Sequence, residues 1–265
     1  MKCCIAQIEG IWETPEKSLE KAERFIENAA GSGAALICFP EQFATGWDPL
    51  SQKNTEDIDG KTITGFQKLA REYSIAIIGS FREQFSPRPR NTTVAIGRDG
   101  SVLARYAKIH LFTPGQEDKE FTPGDALGLF TLDKVHLGLA ICYDLRFPEL
   151  FRIYRARDVH AVVIPAAWPQ SRIRYWELFI QSRAAENQMY IIGVNTTGTN
   201  PVDRYAGASM IADPHGTIIA RAGDAEELLY AEIDPNVAER VREDFPVEND
   251  SRSTLYQSLR QDSNR

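Results

Sequence analysis

The segment VHLGLAICYDLRFPE, residues 135–149, contains a cysteine directly after a short apolar run. Residues 135–141 predict a strand because they are apolar and of strand length. Helical spacing of apolar residues then predicts a helix over residues 148–157. Cys142 therefore stands between a strand and a helix, and α/β sheets gather their ligands and catalytic groups at such strand ends.

The same alternation of strand and helix extends along the chain in both directions. Apolar and β-branched runs predict further strands at residues 3–8, 34–39, 75–80, 92–96, 159–165 and 190–195. Helices are predicted at residues 64–73 and 174–187, and a first helix begins near Pro15. For that first helix we expect Thr14 to act as the cap and Gly31 or Gly33 to end it. This order of elements indicates an α/β protein.

Two hairpins interrupt the alternation. Residues 97–100, Gly-Arg-Asp-Gly, are a turn signal between strands within residues 91–107, because Asp-Gly pairs tolerate the left-handed backbone of tight turns. A second pair of strands, residues 206–211 and 218–220, flanks the sequence Asp-Pro-His-Gly. These antiparallel pairs favour mixed sheets over a purely parallel sheet.

Size and charge exclude several classes of protein. The 265 residues suit one large domain, and 43% hydrophobic and 25% charged residues are ordinary for a globular protein. A formal net charge of -7, without a long run of Lys or Arg, argues against a nucleic-acid partner. No apolar run is long enough to cross a membrane, and residues 1–10 alternate apolar and polar residues, which is typical of a strand and not of a signal peptide. We therefore expect a cytoplasmic protein.

The cysteines and histidines do not form a recognisable metal motif. Cys3, Cys4, Cys38 and Cys142 include no CxxC pair, and the four histidines are scattered. We expect no metal site and no disulfide framework. The last segment, residues 235–265, is charged and poor in large apolar side chains until Leu255 and Tyr256, so it is either a loose end or an arm at a subunit interface.

Three polar residues stand where predicted strands end: Glu41, Lys108 and Cys142. Taken singly, each has an ordinary interpretation as a loop carboxylate, a solvated cation or a small buried side chain. Their surroundings are more specific. They lie in Phe-Pro-Glu-Gln-Phe (39–43), Tyr-Ala-Lys-Ile-His-Leu (106–111) and Ile-Cys-Tyr-Asp-Leu-Arg-Phe-Pro-Glu (141–149).

These three segments, in this order, resemble the signature of the nitrilase superfamily of carbon–nitrogen hydrolases, and the resemblance extends from Cys3 to about Asp234. It implies an α/β fold that is a four-layer α-β-β-α sandwich, a Glu-Lys-Cys catalytic set and assembly into homodimers or larger homo-oligomers. It also implies a fourth catalytic residue, a second glutamate, which we assign to Glu117, with Glu120 as the competing assignment. No cofactor is implied.

The residue types fit the cleavage of a small amide on chemical grounds as well. A free cysteine is only a few per cent thiolate at neutral pH, so it needs a nearby base, which Glu41 supplies if burial raises its pKa. Lys108 and the backbone N–H of Tyr143 are placed to stabilise the oxyanion. The reaction would pass through a thioester on Cys142, which water then hydrolyses to the acid.

The substrate prediction rests on a narrower resemblance. Residues 166–172, Ala-Ala-Trp-Pro-Gln-Ser-Arg, together with residues 181–188, resemble the ω-amidase branch, whose members hydrolyse the terminal amide of 2-oxoglutaramate or 2-oxosuccinamate. Tyr175 departs from this pattern, since the branch often has His there. Such an acidic substrate requires a cation for its distal carboxylate. The candidate substrate-binding residues are the arginines Arg146, Arg172 and Arg174, the oxyanion donor Tyr143, and the aromatic wall residues Phe43, Trp47 and Trp168.

Other activities fit the same catalytic set. An N-carbamoyl amidase would cleave a ureido group, a nitrilase would attack a C≡N group, and an acyltransferase would pass the thioester to an amine. The alternative of another class is a non-catalytic interaction protein on the same fold, which would not require all three catalytic residues.

Overall fold

The computed structural model describes residues 1–262. Its strands are β1 (Lys2–Gln7), β2 (Leu36–Cys38), β3 (Ala76–Glu83), β4 (Arg90–Ile96), β5 (Val102–Ala107), β6 (Gly128–Leu132), β7 (Val135–Leu139), β8 (Ala161–Ala166), β9 (Tyr190–Asn195), β10 (Thr197–Thr199), β11 (Arg204–Ala206), β12 (Met210–Ala212), β13 (Ile218–Arg221) and β14 (Glu227–Glu232). Its helices are α1 (Pro15–Gly31), α2 (Lys61–Tyr73), α3 (Glu117–Glu120), α4 (Pro148–Arg155), α5 (Ile173–Asn187), α6 (Pro235–Asp244) and α7 (Ser253–Asp262). No helix in this part of the chain is long and apolar enough to cross a membrane.

The strands form two six-stranded sheets and one small hairpin. The first sheet has the order β14-β1-β2-β3-β4-β5, and the second has the order β13-β12-β9-β8-β7-β6. Strands β1, β2 and β3 are parallel, as are β7, β8 and β9, whereas the outer strands pair antiparallel. The prediction of mixed sheets is confirmed. The strand predicted at residues 206–211 is divided in the structure, because β11 pairs with β10 and β12 pairs with β9 and β13.

Alternating side chains of β1 show how the layers are built. Cys3 and Ile5 point into a core that also contains Leu139 and Val163 of the second sheet, so the two sheets pack face to face. Cys4 and Ala6 point the other way, into a core shared with α1 and α2.

The second sheet repeats this arrangement on its outer face. Val162 and Ile191 pack against Phe151 of α4 and Trp176 of α5. Because the central strands are covered on both faces, most of their residues are apolar, as in buried parallel strands generally. The layers are therefore helix, sheet, sheet and helix, which confirms the predicted four-layer α-β-β-α sandwich.

Two details at helix ends differ from or refine the predictions. Thr14 occupies the N-cap position of α1, but its side chain makes no capping hydrogen bond, because its hydroxyl donates to the Trp12 carbonyl at 3.0 Å instead. Pro15 begins the helix, and Gly31 is its last residue. The prediction that Thr14 caps the helix is therefore wrong for its side chain.

The C-terminal segment is ordered against its own chain over α6. Ala238 is buried, and the Arg242 side chain donates to the carbonyl oxygens of Val159 and Gln188 at 2.5 and 3.1 Å. The Gln188 amide in turn donates to the Phe245 carbonyl at 2.7 Å. The alternative of a loose end is wrong for this helix, whereas residues 263–265 of the predicted tail lie outside the described residues.

Candidate active site

The three predicted catalytic residues come together at one end of the two sheets. Glu41 follows β2 after Phe39 and Pro40, and Lys108 directly follows β5. Cys142 follows β7 of the second sheet and begins a 3₁₀ turn, Cys142–Arg146. The site is therefore shared between the two sheets, and residues 67 and 34 positions apart in the chain meet because their strands end at the same edge.

A buried lysine lies between two buried carboxylates. The Lys108 ammonium group donates to Glu41 Oε1 and to Glu117 Oε2, both at 2.8 Å, and none of the three side chains is exposed. Removing Lys108 would leave two carboxylates buried without their cation, and breaking a buried pair in this way typically costs about 3–5 kcal/mol. The three charges are therefore interdependent.

Uncharged groups donate further hydrogen bonds to the two carboxylates. The side-chain amide of Asn91 on β4 donates to Glu41 Oε1 at 2.7 Å and to Glu117 Oε1 at 3.0 Å. The backbone N–H of Ala167 donates to Glu41 Oε2 at 3.0 Å, and the N–H of Phe112 donates to Glu117 Oε2 at 2.7 Å. Each carboxylate is thus held in one orientation by fixed donors.

The structure separates the two candidates for the second glutamate. Glu117 is the first residue of α3, follows the left-handed residue Gln116 and is wholly buried against Lys108. Glu120 ends the same short helix, and its carboxylate accepts a hydrogen bond from the Gln52 side chain at 2.8 Å near the surface. Glu117 therefore lies with the other three residues and Glu120 does not.

The electrostatics of the site favour a charged lysine and a protonated thiol. Burial raises the pKa of Glu41, against the opposing effect of Lys108, and the Glu117 charge raises it further. Burial alone would lower the pKa of Lys108, but Glu117, Glu41 and Cys142 outweigh it, so this pKa is raised. Burial and the adjacent Glu41 charge raise the pKa of Cys142 well above its ordinary value, although Lys108 opposes them. Cys142 is therefore a thiol beside the Glu41 carboxylate.

Cys142 sits in a strained backbone turn. Its φ is +43°, in the left-handed region that residues with a side chain rarely adopt, and such strain typically costs about 1–3 kcal/mol. The buried Asp144 carboxylate stabilises the turn: it accepts hydrogen bonds from the N–H of Ile141 at 2.9 Å, from the Tyr106 hydroxyl at 2.7 Å and from the N–H of His110 at 2.9 Å. These bonds hold the segments that carry Cys142 and Lys108 together.

A pocket opens over Cys142 and contains most of the predicted substrate-binding residues. We call it the Cys142 pocket; its lining comprises Trp47, Lys108, Phe112, Cys142, Tyr143, Arg146, Ala167, Trp168, Pro169 and Arg172. The N–H of Tyr143 lies in the first turn of the 3₁₀ segment, where amides have no acceptor within the helix. It is therefore available to an oxyanion beside Cys142.

Two predicted residues lie elsewhere. Phe43 does not line the Cys142 pocket; it is buried in the core against Phe39, with ring centroids 5.1 Å apart. The backbone of Gln42 is left-handed, with a φ of +47°, and turns the chain between Glu41 and Phe43. The two side chains therefore point in different directions. Arg174 is exposed on α5 and is also absent from the pocket lining.

Arg146 lies among aromatic rings. Its guanidinium carbon is 5.0 Å from the ring centroid of Trp168 and 5.3 Å from those of Tyr175 and Phe179. Among the side chains of residues 1–259, no carboxylate forms a salt bridge with it. Stacking on rings leaves the edge donors of a guanidinium available, so Arg146 is a cation that can receive an anionic ligand. Arg172 lies 5.1 Å from the Phe112 ring in the same pocket.

The comparison with known proteins agrees with this geometry. A sequence model of the family described as carbon-nitrogen hydrolase matches residues 3–243. The chain belongs to the carbon–nitrogen hydrolase family. It is 34% identical over 244 residues to a 2-oxoglutaramate amidase of Bacillus subtilis (strain 168), covering 91% of this chain and 94% of the relative. It is 35% identical over 250 residues to Omega-amidase NIT2 of Homo sapiens, covering 90% and 91% of the two chains.

A solved structure of another carbon–nitrogen hydrolase superfamily protein has the same fold. It comes from Xanthomonas campestris and carries an arsenic adduct in its active site. The two chains superpose with a TM-score of 0.87 at 25% identity, over 95% of this chain and 97% of the other. The predicted family and fold class are both confirmed.

Three positions in this carbon–nitrogen hydrolase were missed from sequence. Asn91 and Asp144 orient the catalytic groups, and Arg82 is wholly buried on β3, where it donates to the Gln42 side chain at 2.9 Å and to the Gly46 carbonyl at 3.0 Å. Arg82 thereby holds the loop that follows Glu41. The available signal was a polar or charged residue inside a predicted strand or beside it, since such residues are depleted in buried strands.

The described side chains do not form an evident metal-binding site. Among the side chains of residues 1–259, no group of three or more His, Cys, Asp or Glu is placed to hold a metal ion. The acidic cluster at the site is already occupied by the Lys108 ammonium group.

Proposed function

We propose that this carbon–nitrogen hydrolase is an ω-amidase, which hydrolyses the terminal amide of a short α-keto dicarboxylate monoamide such as 2-oxoglutaramate or 2-oxosuccinamate. The observation that carries the proposal is Arg146 in the Cys142 pocket, which forms no salt bridge with a described residue and lies next to a nucleophile, a base and an oxyanion partner. The names of the Bacillus subtilis and human relatives support the same activity.

The first half of the reaction forms a thioester. Cys142 Sγ attacks the amide carbon while Glu41 accepts the thiol proton, so no free thiolate is required beforehand. The negative charge that develops on the carbonyl oxygen is stabilised by the Lys108 ammonium group and the Tyr143 N–H. Glu41 then donates the proton to the departing nitrogen, the C–N bond breaks, and ammonia leaves.

The second half reverses the roles of the same groups. A water oxygen attacks the thioester carbon while Glu41 takes a proton from that water. Lys108 stabilises the second oxyanion. The C–S bond breaks, the proton returns to Cys142, and the acid leaves. Glu117 keeps its negative charge beside Lys108 throughout, which helps keep the lysine charged when Glu41 is protonated.

Arg146 would decide the substrate by binding its distal carboxylate. Hydrogen bonds to charged groups are worth about 1.5–3 kcal/mol, which corresponds to roughly 10–150-fold in binding. We expect Arg146→Gln to raise KM for 2-oxoglutaramate by about this factor and to change kcat little. A neutral aliphatic amide of similar length should show almost no change, because it has no carboxylate to lose. Ammonia-release kinetics on both substrates measure the difference.

The same assay separates the alternative activities. An N-carbamoyl amino acid and an aliphatic nitrile are added to the panel, and Arg174→Gln serves as the matched control because Arg174 is exposed outside the pocket. Turnover of only the ureido compound or only the nitrile would show that the ω-amidase assignment is incorrect. An equal loss on the charged and neutral amides would remove Arg146 from its proposed role, and Arg172→Gln would then be tested in the same way.

We also propose that the enzyme is a cytoplasmic homodimer, with the segment after α6 at the subunit interface. The four cysteines are free thiols, as a reducing compartment would keep them. Beyond α6 the chain exposes large apolar side chains, with Phe245 71% and Tyr256 52% accessible. Isolated apolar residues are common on surfaces, but Tyr256 borders the same open groove as the exposed Ile153 on α4.

A truncation after Pro246 tests the interface. This truncation keeps α6, whose Arg242 binds the body of the protein, so the monomer is expected to fold. Light scattering should show a dimer for the full chain and mostly monomer for the truncated chain. A truncated chain that remains dimeric would place the interface elsewhere.

A further inference from the structure

Glu41 also borders a second and more enclosed cavity, which we call the Glu41 cavity. It lies beside the β10–β11 hairpin and is bordered by Glu41, Trp47, Thr196 and Tyr205, among others. Trp47 borders the Cys142 pocket as well, so the two spaces adjoin at its side chain. The base is therefore reachable from a side that the substrate does not occupy.

Two buried polar groups on residues that border this cavity have no hydrogen bond of good geometry. They are the indole N–H of Trp47 and the hydroxyl of Tyr205, on residues that are only 8% and 4% accessible, and the Asn200 side chain lies beside the hydroxyl. Leaving such a group unpaired costs about 1–3 kcal/mol, and buried water commonly satisfies it. The cavity leaves about 20 Å³ for the centre of a water-sized molecule, and one water needs roughly 10–15 Å³ on this measure.

The cavity is also close to the reacting atoms. Glu41 and Tyr205 both border this cavity, whereas Ala167, whose N–H donates to Glu41 Oε2, borders the Cys142 pocket, so the base lies between the two spaces. Glu41 Oε2 accepts one backbone hydrogen bond, from Ala167, and a carboxylate oxygen has room for a second donor. After ammonia has left with the thiol proton, Glu41 is again a carboxylate that can accept a proton.

We propose that the Glu41 cavity holds the water that hydrolyses the thioester. The proposal rests on the proposed amidase function. The water oxygen attacks the thioester carbon, one water proton passes to Glu41, the C–S bond breaks, and Glu41 returns the proton to sulfur. Trp47 and Tyr205 are positioning residues that orient this water, while the acyl group fills the Cys142 pocket.

Partitioning of the thioester between water and hydroxylamine tests the proposal. Hydroxylamine competes with water for the same thioester and gives a hydroxamate, and its attack does not depend on the hydrogen bonds that orient the water. We expect Tyr205→Phe to slow acid formation about fivefold to tenfold, the effect of one hydrogen bond of about 1 kcal/mol, and to raise the hydroxamate share accordingly. The initial burst of ammonia should be unchanged, because acylation does not use this water.

Further variants and a crystal structure make the test decisive. Thr196→Val removes a second hydroxyl from the cavity wall at constant shape and should act in the same direction, whereas Tyr73→Phe on α2 is a control without effect on partitioning. A crystal structure of the enzyme should show ordered water beside Trp47 Nε1. An unchanged partition ratio in both cavity variants would overturn the proposal even if water is present, and so would a dry cavity. Failure of the amidase function itself would appear differently, as the absence of any ammonia burst in the wild type.

Discussion

Replacement of Cys142 by alanine is expected to abolish amide hydrolysis, with kcat falling on the order of 10⁶-fold, as for loss of a catalytic nucleophile elsewhere. Cys142 is the only one of the four thiols within residues 1–262 that is partly exposed, and it lies next to Glu41. Without Sγ no thioester can form, so Lys108 and Glu41 have no acyl group to act on. The measurement is twofold: ammonia release under steady state, and intact mass of the protein after brief mixing with substrate.

The mass measurement separates catalysis from a binding role. The wild type should carry an acyl adduct that Cys142→Ala lacks. Cys4→Ala is the matched control, because Cys4 is buried on the outer face of β1, away from the site, and this variant should keep the adduct. If the wild type formed no adduct and released no ammonia from a broad panel of amides, a non-catalytic interaction protein would be the better interpretation.

The meeting of the proposed catalytic residues was predictable because strand ends are visible in sequence. Glu41, Lys108 and Cys142 each follow an apolar run, and the resemblance to the nitrilase superfamily linked the three runs. Glu117 was harder to distinguish from Glu120, because both lie in a four-residue helix of charged side chains. The left-handed turn at Gln116 decides which of them points inward, and local sequence does not encode that turn.

Phe43 was predicted to wall the substrate pocket, but it does not line the Cys142 pocket. An aromatic residue two positions after Glu41 was a reasonable pocket wall, but Phe43 packs in the core and borders the Glu41 cavity instead of the Cys142 pocket. Asn91 was missed because its role depends on two loops that are distant in sequence and meet only when the sheet forms. These features follow from tertiary contacts and not from local pattern.

The packing of the sheets and helices into layers was likewise not predictable from local sequence pattern. An apolar run such as β1 fits any sheet that is buried on both faces. Whether Cys3 and Ile5 contact a second sheet or a helix depends on which layer packs against their face of β1, and composition does not reveal it. The four layers were therefore predictable only through the resemblance to a family, whereas the presence of mixed sheets followed from the hairpin turns.

Glu41→Gln is expected to lower kcat/KM by at least 10²–10⁴-fold, about the usual contribution of a general base, since Glu41 moves protons in both halves of the reaction. The pH profile of the wild type should also show an acid limb. Glu41 must be ionised to accept the thiol proton, so activity falls as pH drops through its pKa. Because burial and Glu117 raise that pKa, the limb should lie above the ordinary range of a glutamate. No alkaline limb is expected near neutral pH, since the pKa values of Lys108 and Cys142 are both raised.

Glu117→Gln distinguishes proton transfer from charge balance. It removes the same negative charge from Lys108 as Glu41→Gln does, because both carboxylates lie 2.8 Å from the ammonium group. Glu117→Gln leaves Glu41, the proposed base for the Cys142 thiol, in place. If Glu41 is the base, only Glu41→Gln loses the acid limb, whereas Glu117→Gln keeps the limb and shifts it to lower pH, because removal of the Glu117 charge lowers the pKa of Glu41. Equal losses with the same pH profile in both variants would mean that the two carboxylates serve only to keep Lys108 charged, and the base would have to be sought elsewhere.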